Sequence, residues 1–303
     1  QSTVKSIFGD QSKDKSTLGQ GIAELTPHHD VGTYFKSLNR FETRSPLREC
    51  QWEFILDSTG KIVYEKAYDK NGKLVWGLVY SPPLEGQSAR QAHYVGPDGF
   101  PRPQLNSTAE FAEFTYSPQG DESEVRYLDR ESQPQLGLGK VFGKRLTFDA
   151  RGLVTESTFL DSQGQPMNNE VGVATTRYSY NEFGNIIEEA YFDVAGKPTL
   201  SSKEGFHKST TQYDERGNPT EETYFDAAGK PTLHKEGIHK LTLQYDAHGN
   251  LTEVAVFDTA GKPTLNKHGY HKITTQYDVS GNITEEAVFD VAGKPILNNN
   301  GFH

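Results

Sequence analysis

Glycines recur along this chain at intervals of 12 and then 8 residues. Gly217 and Gly229 are 12 apart, Gly237 follows 8 later, and Gly249 lies a further 12 on. Read from Tyr213, Tyr245 and Tyr277, the segments run YDERGNPTEETYFDAAGKPTL, YDAHGNLTEVAVFDTAGKPTL and YDVSGNITEEAVFDVAGKPIL, a period of 32 residues. Another copy begins at Tyr180, where a serine inserted after Leu200 makes the step 33. The same ruler recovers drifted copies: Gly152 and Gly164 with Gly172 beyond, Gly120 and Ser132, a looser Gly86 to Gly99, and Gly60 to Gly72. About eight units thus fill the chain from roughly residue 50 onward. Such a chain packs each unit mainly on its neighbours rather than around one central core.

The glycines close Asp-x-x-Gly turns, most openly at Asp214 and Gly217, Asp226 and Gly229, Asp246 and Gly249, Asp258 and Gly261, Asp278 and Gly281, and Asp290 and Gly293. Aspartate starts a turn by accepting backbone N–H bonds ahead of it, and glycine supplies the positive-φ residue that ends it. A type I turn with glycine after it is a hairpin loop with a G1 bulge. Between turns lie segments rich in Thr, Val, Tyr and Phe, of strand length and composition. The third segment, typified by GKPTLNKHG, is short and contains Pro263, which reads as a connection or an edge strand. The expected fold is all-β: a tandem array of hairpin repeats in a curved or spiralling antiparallel sheet.

Counting outward from that turn sets Tyr245 opposite Leu251, Leu243 opposite Glu253, Leu241 opposite Ala255 and His239 opposite Phe257. Tyr245, Leu243, Leu241 and Phe257 then share a buried face, and Gln244, Thr242 and Lys240 an exposed one. The same count sets Tyr213 opposite Pro219 and Tyr277 opposite Ile283.

The domain reading is an N-terminal polar segment over 1–48 and a repeat domain over 49–303, divergent over 49–140 and regular over 141–303. The first twenty residues read as mobile. A short helix over Val31–Phe41 is expected to cap the first hairpin, because bare edge strands invite pairing. The period stays intact up to Gly301-Phe302-His303, so another repeat or a covering domain is expected beyond His303.

Net charge is −10, which opposes a phosphate-tracking surface, so no nucleic acid is expected. No run of 18 apolar residues exists, so no helical membrane span is expected. Cys50 is the sole cysteine, which excludes an intrachain disulfide and a cysteine zinc site.

The turns Tyr213-Asp214, Tyr245-Asp246, Tyr277-Asp278 and Tyr68-Asp69, each with glycine three residues after the aspartate, resemble the YD repeat of Rhs-type bacterial proteins. The resemblance spans about 250 residues. It implies hairpins coiling into a β-spiral, which in that family can form a hollow shell around a toxic cargo. The period here is longer than the usual YD unit, and the Lys-Pro-Thr-Leu connection is an addition to it. Tyr191-Phe192-Asp193 and Tyr224-Phe225-Asp226 also resemble cell-wall and glucan-binding hairpins of bacterial surface proteins. Those rely on repeated aromatic sugar pockets, whereas Trp52 and Trp76 stand only in the first copy here.

Two ladders exceed what turns require. Glu124, Glu156, Glu188, Glu221, Glu253 and Glu285 each stand four residues after a unit's first glycine, and the counted register puts them on the apolar face. A buried carboxylate is costly unless bonded. Either a Lys, His, Thr or backbone N–H of the next unit satisfies each, or the ladder lines a cavity for a basic peptide or cation. His207, His239, His271 and His303 form the second ladder, on the same face by that count. Its residues are too far apart in sequence to make a metal site without stacking, and a structural role is expected. His28-His29-Asp30 and Cys50 read as surface and packing residues. Asn250 and Asn282 sit in glycosylation-type triplets that turn chemistry already explains, and Asn106 stands in a third such triplet.

These features point to a non-catalytic scaffold or protein-binding module of a larger bacterial protein, with no cofactor and no metal. Its partner would be another protein or an attached effector domain. A toxin-delivery shell and a carbohydrate-binding surface module are the alternatives. The resemblances favour an extracellular or cell-surface setting over the cytoplasm.

Overall fold

The computed structural model describes residues 5–8, 51–56, 62–68, 73–82, 89–103, 107–117 and 122–296. The helix expected over Val31–Phe41 lies outside them, as do His28, His29, Asp30, Cys50, Asn106 and His303. The chain forms two compact units, residues 1–170 and 171–303.

In the first unit the strands are β1 (Lys5–Phe8), β2 (Gln51–Leu56), β3 (Ile62–Tyr68), β4 (Leu74–Tyr80), β5 (Ala89–Val95), β6 (Phe111–Tyr116), β7 (Glu122–Leu128), β8 (Gly143–Phe148) and β9 (Val154–Leu160). Each pairs antiparallel with the next. The second unit runs β10 (Thr175–Tyr180), β11 (Ile186–Phe192), β12 (Lys208–Tyr213), β13 (Pro219–Phe225), β14 (Lys240–Tyr245), β15 (Leu251–Phe257), β16 (Lys272–Tyr277), β17 (Ile283–Phe289) and β18 (Pro295–Ile296). These too pair antiparallel in chain order. Each unit is therefore an antiparallel meander of β-hairpins.

The turns form through local side-chain bonds. Asp246 Oδ1 accepts the N–H groups of His248 and Asn250, both at 2.8 Å, and Asn250 Nδ2 donates to Asp246 Oδ2 at 2.8 Å. Gly217, Gly229, Gly249, Gly261, Gly281 and Gly293 have φ between 74° and 80°. A β-branched residue at such a φ is strained.

The register corrects the counted one. Tyr245 does oppose Leu251, Tyr213 Pro219 and Tyr277 Ile283, but the pairing then slips: Gln244 opposes Glu253, Leu243 Val254, Thr242 Ala255, Leu241 Val256 and Lys240 Phe257. Thr252 is an extra residue, a bulge, and it reverses the parity of everything beyond it. The same slip follows the first turn in six other units, whereas β4 and β5 of the looser copy pair without it. A hydroxyl commonly holds it. Ser123 Oγ donates to the Thr115 carbonyl (3.1 Å), and Thr155 and Thr252 Oγ1 to those of Thr147 and Gln244 (3.3 and 3.2 Å). Leu241 and Leu243 are buried as expected, whereas Tyr245 and Phe257 are half-buried, and Phe257 lies on the face opposite to theirs. Gln244 is exposed, while Thr242 and Lys240 are half-buried.

The third segment is a connection. After the second turn isolated bridges form, at Phe192 with Pro198, Phe225 with Pro231 and Phe257 with Pro263, and in the last repeat the two residues of β18 pair with β17. A further turn then brings the chain back, with the His234 N–H bonded to the Ile238 carbonyl at 2.7 Å. Successive connections bond to each other, Lys235 N–H to the Glu204 carbonyl (3.0 Å) and Lys267 N–H to that of Glu236 (2.8 Å). The residue after the third glycine anchors this turn in three repeats, where Val173, Phe206 and Ile238 are buried, and Tyr270 is half-buried at the same place.

Each sheet has an inner face carrying the buried residues. In the first unit Leu78, Tyr80, Ala92, Tyr94, Ala112, Phe114, Val125, Tyr127 and Val141 form one core cluster, with Trp76 packed against it. In the second unit Leu241, Leu243, Val254 and Val256 are buried on that face. Complete burial of one such side chain contributes about 1.5–3 kcal/mol.

Candidate functional site

The bulge moves the glutamate ladder off the apolar face. Glu221 opposes Gln212 and Glu253 opposes Gln244, on the outer, polar side of the second unit. Each is held from two directions. Gln212, Gln244 and Gln276 donate from their Nε2 to Glu221, Glu253 and Glu285 within the same hairpin, at 3.3, 3.2 and 2.9 Å. The next repeat supplies a lysine: Lys208 to Glu188 (3.1 Å), Lys240 to Glu221 (3.2 Å) and Lys272 to Glu253 (3.1 Å). The same lysines lie over the rings of Phe225, Phe257 and Phe289, at 5.5, 5.1 and 5.3 Å from the centroid. In the first unit Glu124 receives Arg126 (2.6 Å) and Arg145 (2.8 Å), and Thr158 Oγ1 lies 3.5 Å from Glu156. Glu124, Glu188, Glu221 and Glu253 are thus held across repeats, and Glu156 and Glu285 are bonded within their own hairpins.

The histidine ladder sits on the inner parity, opposite to the glutamates, which corrects the placement on a shared face. His207 Nδ1 lies 2.7 Å from the Tyr191 carbonyl, His239 Nδ1 3.1 Å from that of Thr232, and His271 Nδ1 2.8 Å from that of Val256. A carbonyl only accepts, so Nδ1 carries the proton in each. The rings meet Phe192, Phe225 and Phe257 edge-on, at 5.3, 5.8 and 5.5 Å. These contacts pin each new hairpin to the one before. Among the described residues no group of three metal-ligating side chains converges.

The repeated tyrosine has a matching role. Tyr213 Oη donates to the Ile186 carbonyl (2.7 Å) and Tyr277 Oη to that of Leu251 (2.9 Å), each in the preceding hairpin. A shallow groove of about 310 Å³ opens between the first-turn tips of neighbouring repeats, lined by Asp214, Arg216, Thr220, Tyr245 and Asp246. Arg216 Nη1 crosses it to the Ala247 carbonyl at 2.6 Å.

The second-turn edge of the second unit differs. Lys197, Lys230, Lys262 and Lys294 are exposed there. Their ammonium groups have no ion-pair or hydrogen-bond partner among the described residues. Beside them Val194, Leu200, Leu233, Leu265 and Val291 are 44–55% exposed. The corresponding aspartates direct Oδ1 at two backbone N–H groups each, as Asp226 does to Ala228 and Lys230. The repeated Lys-Pro-Thr-Leu was visible in the sequence, but its exposure was not.

A second site was missed altogether: carboxylates on the inner faces. Glu65, Glu189 and Glu222 are buried. In the first unit Tyr80 Oη donates to Glu65 Oε1 at 2.7 Å, and the Arg90 guanidinium lies 4.7 Å over the Tyr80 ring. Burial pushes Glu122 well above the usual carboxylate range, the Glu65 charge adds to it, and Lys144 opposes it. Burial raises Tyr80 and Tyr94 far above the usual phenol value, and lifts Tyr116 to about 12. In the second unit Tyr191 hydrogen-bonds Glu189, and burial first, then the Glu189 charge, pushes its phenol well up. The signal lay one position along from the ladder: Glu189 and Glu222 directly follow Glu188 and Glu221.

No protein-family model matches the chain, and no curated protein does. Among solved structures it is similar to TcdB2-TccC3 without its hypervariable C-terminal region, at 14% identity and a TM-score of 0.33, covering 82% of this chain and 13% of that one. The Photorhabdus luminescens Tc holotoxin pore matches at 12% identity and a TM-score of 0.24, over 79% of this chain and 14% of that one. A porin-like protein from Bacteroides uniformis matches at 9% identity and a TM-score of 0.33, over 79% and 88%. The chain thus spans a small fraction of the toxin-complex chains it matches. Scores this low assign it neither their architecture nor their activity.

Proposed function

We propose that this chain is a non-catalytic hairpin-repeat scaffold of a larger bacterial protein that binds a protein partner along the second-turn edge of its second unit. The observation that supports this is the contrast between two lysine rows. Lys208, Lys240 and Lys272 are held by glutamates, whereas Lys197, Lys230, Lys262 and Lys294 face solvent with exposed Leu200, Leu233 and Leu265 beside them. Repeats follow one another two strands apart, about 10 Å, so both rows are evenly spaced. An extended segment alternating carboxylates with apolar side chains complements them. Apolar groups exposed in a row mark interaction surfaces more than scattered ones do. An effector domain joined to this chain would bind by the same chemistry.

Enclosure of a toxic cargo ranks second. A shell needs an inner face open to its contents, and here Leu241, Val256 and Glu189 are buried in packing. Sugar binding ranks third, since repeated aromatic pockets are lacking among the described residues.

The test uses a fluorescent synthetic peptide alternating Glu and Leu, followed by anisotropy. Binding is expected to weaken at least tenfold when the four edge lysines become Gln. It should weaken similarly when Leu200, Leu233 and Leu265 become Asn at unchanged charge. Binding that depends on charge alone, or that neither set of changes alters, overturns the proposal.

A further inference from the structure

The hairpins of the second unit end differently at their two turns. The aspartates that begin the turns are alike at both ends, each with Oδ1 on two backbone N–H groups. What projects around them is not. At the first turns the residue after the turn opener is Glu182, Glu215, Ala247 and Val279 in successive repeats, all exposed. Phe183 stands out beside Glu182, and Phe183 and Val279 are 79% and 106% exposed. The one Lys or Arg among these turns, Arg216, spends Nη1 on the Ala247 carbonyl. At the second turns the projecting residues are Lys197, Lys230, Lys262 and Lys294, with Leu200, Leu233 and Leu265 beside them. One end thus offers carboxylates with apolar groups, and the other offers ammonium groups with apolar groups.

Both rows also repeat with one step. Glu188 opposes Thr210, Glu221 opposes Thr242 and Glu253 opposes Thr274, so successive hairpins join in the same register. Lys240 opposes Thr223 on one side and Phe257 on the other, which sets Phe257 level with Thr223 rather than with its counterpart Phe225. Each hairpin is therefore displaced two residues along its neighbour as well as two strands aside, about 7 Å and about 10 Å. A partner that engages every lysine must follow this oblique step. The first-turn row follows it by construction, because the same strands generate both rows. In the first unit the lysine position, just before the bridged proline, holds Phe100, Gln133 and Gln165, so the basic row is confined to the second unit.

We infer that the second-turn edge of the second unit receives the first-turn edge of a second copy of this chain, with Glu182 and Glu215 on its lysines and Phe183 and Val279 on its leucines. This rests on the reading of that edge as a protein-binding surface and names its occupant. The two halves of the contact lie at opposite ends of one array, so the contact is heterologous and association runs head to tail without closing at a dimer. A single exposed ion pair contributes little, whereas a row engaged together on one array adds up.

Sedimentation velocity of the full chain tests this. Its mass is expected to grow with concentration without a fixed stoichiometry. One variant changes Lys197, Lys230, Lys262 and Lys294 to Gln; another carries Glu182→Gln, Phe183→Ser, Glu215→Gln and Val279→Ser. Each should be monomeric alone, and the two mixed should form a one-to-one pair, since each keeps the edge that the other lacks. A wild-type chain that stays monomeric, a variant that still grows alone, or a mixture that forms no pair overturns the second copy as occupant. The Glu–Leu peptide separates this failure from that of the earlier reading. Peptide bound to the lysine edge of a strictly monomeric chain keeps the surface and removes the second copy, whereas neither binding nor association removes both.

Discussion

In the second unit one hairpin foretells the next; in the first it does not. Lys208, Lys240 and Lys272 occupy one position on successive first strands, and Gly143 stands there in the first unit. Thr211 and Phe114 share another position, both buried. Yet both units keep the aspartate turn and the one-residue bulge after it. The backbone device is thus separable from what fills the faces. The second unit ties repeat to repeat with outer lysine–glutamate and lysine–phenylalanine contacts and with histidines on carbonyls. The first relies on an aromatic cluster and arginines at Glu124.

Large core changes should divide the units most clearly. Phe114→Ala is expected to cost about 3–5 kcal/mol, whereas Thr211→Ala at the matching position should cost about 1–2 kcal/mol. Urea denaturation followed by circular dichroism measures both; equal costs would mean that the two faces are packed alike.

The next contrast lies in the second turn. Gly229 has φ of 76°, while its counterpart Ser132 holds φ of 60° with a side chain. Gly229→Val should cost about 1–3 kcal/mol, and Ser132→Gly should gain about 1 kcal/mol by relieving the left-handed conformation. Thermal melts decide it, and a loss for Ser132→Gly would show that its hydroxyl matters more than its backbone.

Acid acts on the aspartate turns of both units. The Asn250 and Asn282 side-chain amides, then their backbone N–H groups, hold Asp246 and Asp278 below the usual carboxylate range. Their contribution is present above the ordinary aspartate value and lost as pH falls through the depressed one. The regular turns should therefore loosen on the acid side. In a carboxyl NMR titration, Asn250→Ala should move the Asp246 midpoint up toward the ordinary value.

The smallest effect is expected at the outer ion pairs. Lys240→Met should cost up to about 1 kcal/mol, and less in high salt. A larger, salt-insensitive loss would transfer the role to Lys240 packing over Phe257.

Turns, strand spacing and the all-β class were legible because Asp and Gly mark positions by backbone chemistry alone. The bulge was not, since an extra residue leaves the glycine spacing unchanged. Its traces were Thr220, Thr252 and Thr284 three residues after each glycine, and Val254 and Val256 alternating out of step with Leu251. Missing it placed Glu253 with Leu243 and left Glu189 and Glu222 unremarked. The exposed lysine row could not be told from the paired one, because pairing depends on strands from different repeats.

The serine inserted after Leu200 alters one turn and little else. There Gly205 N–H bonds to the Ser201 carbonyl four residues back, where Gly237 bonds to His234 three back, and Lys235 still finds the Glu204 carbonyl. The connection is thus an expansion joint: length added there is absorbed before the next strand begins. A residue added within a strand would instead turn every later side chain over. Unequal exchange between gene copies, or a deliberate splice of foreign sequence, should be tolerated best at this point of each repeat.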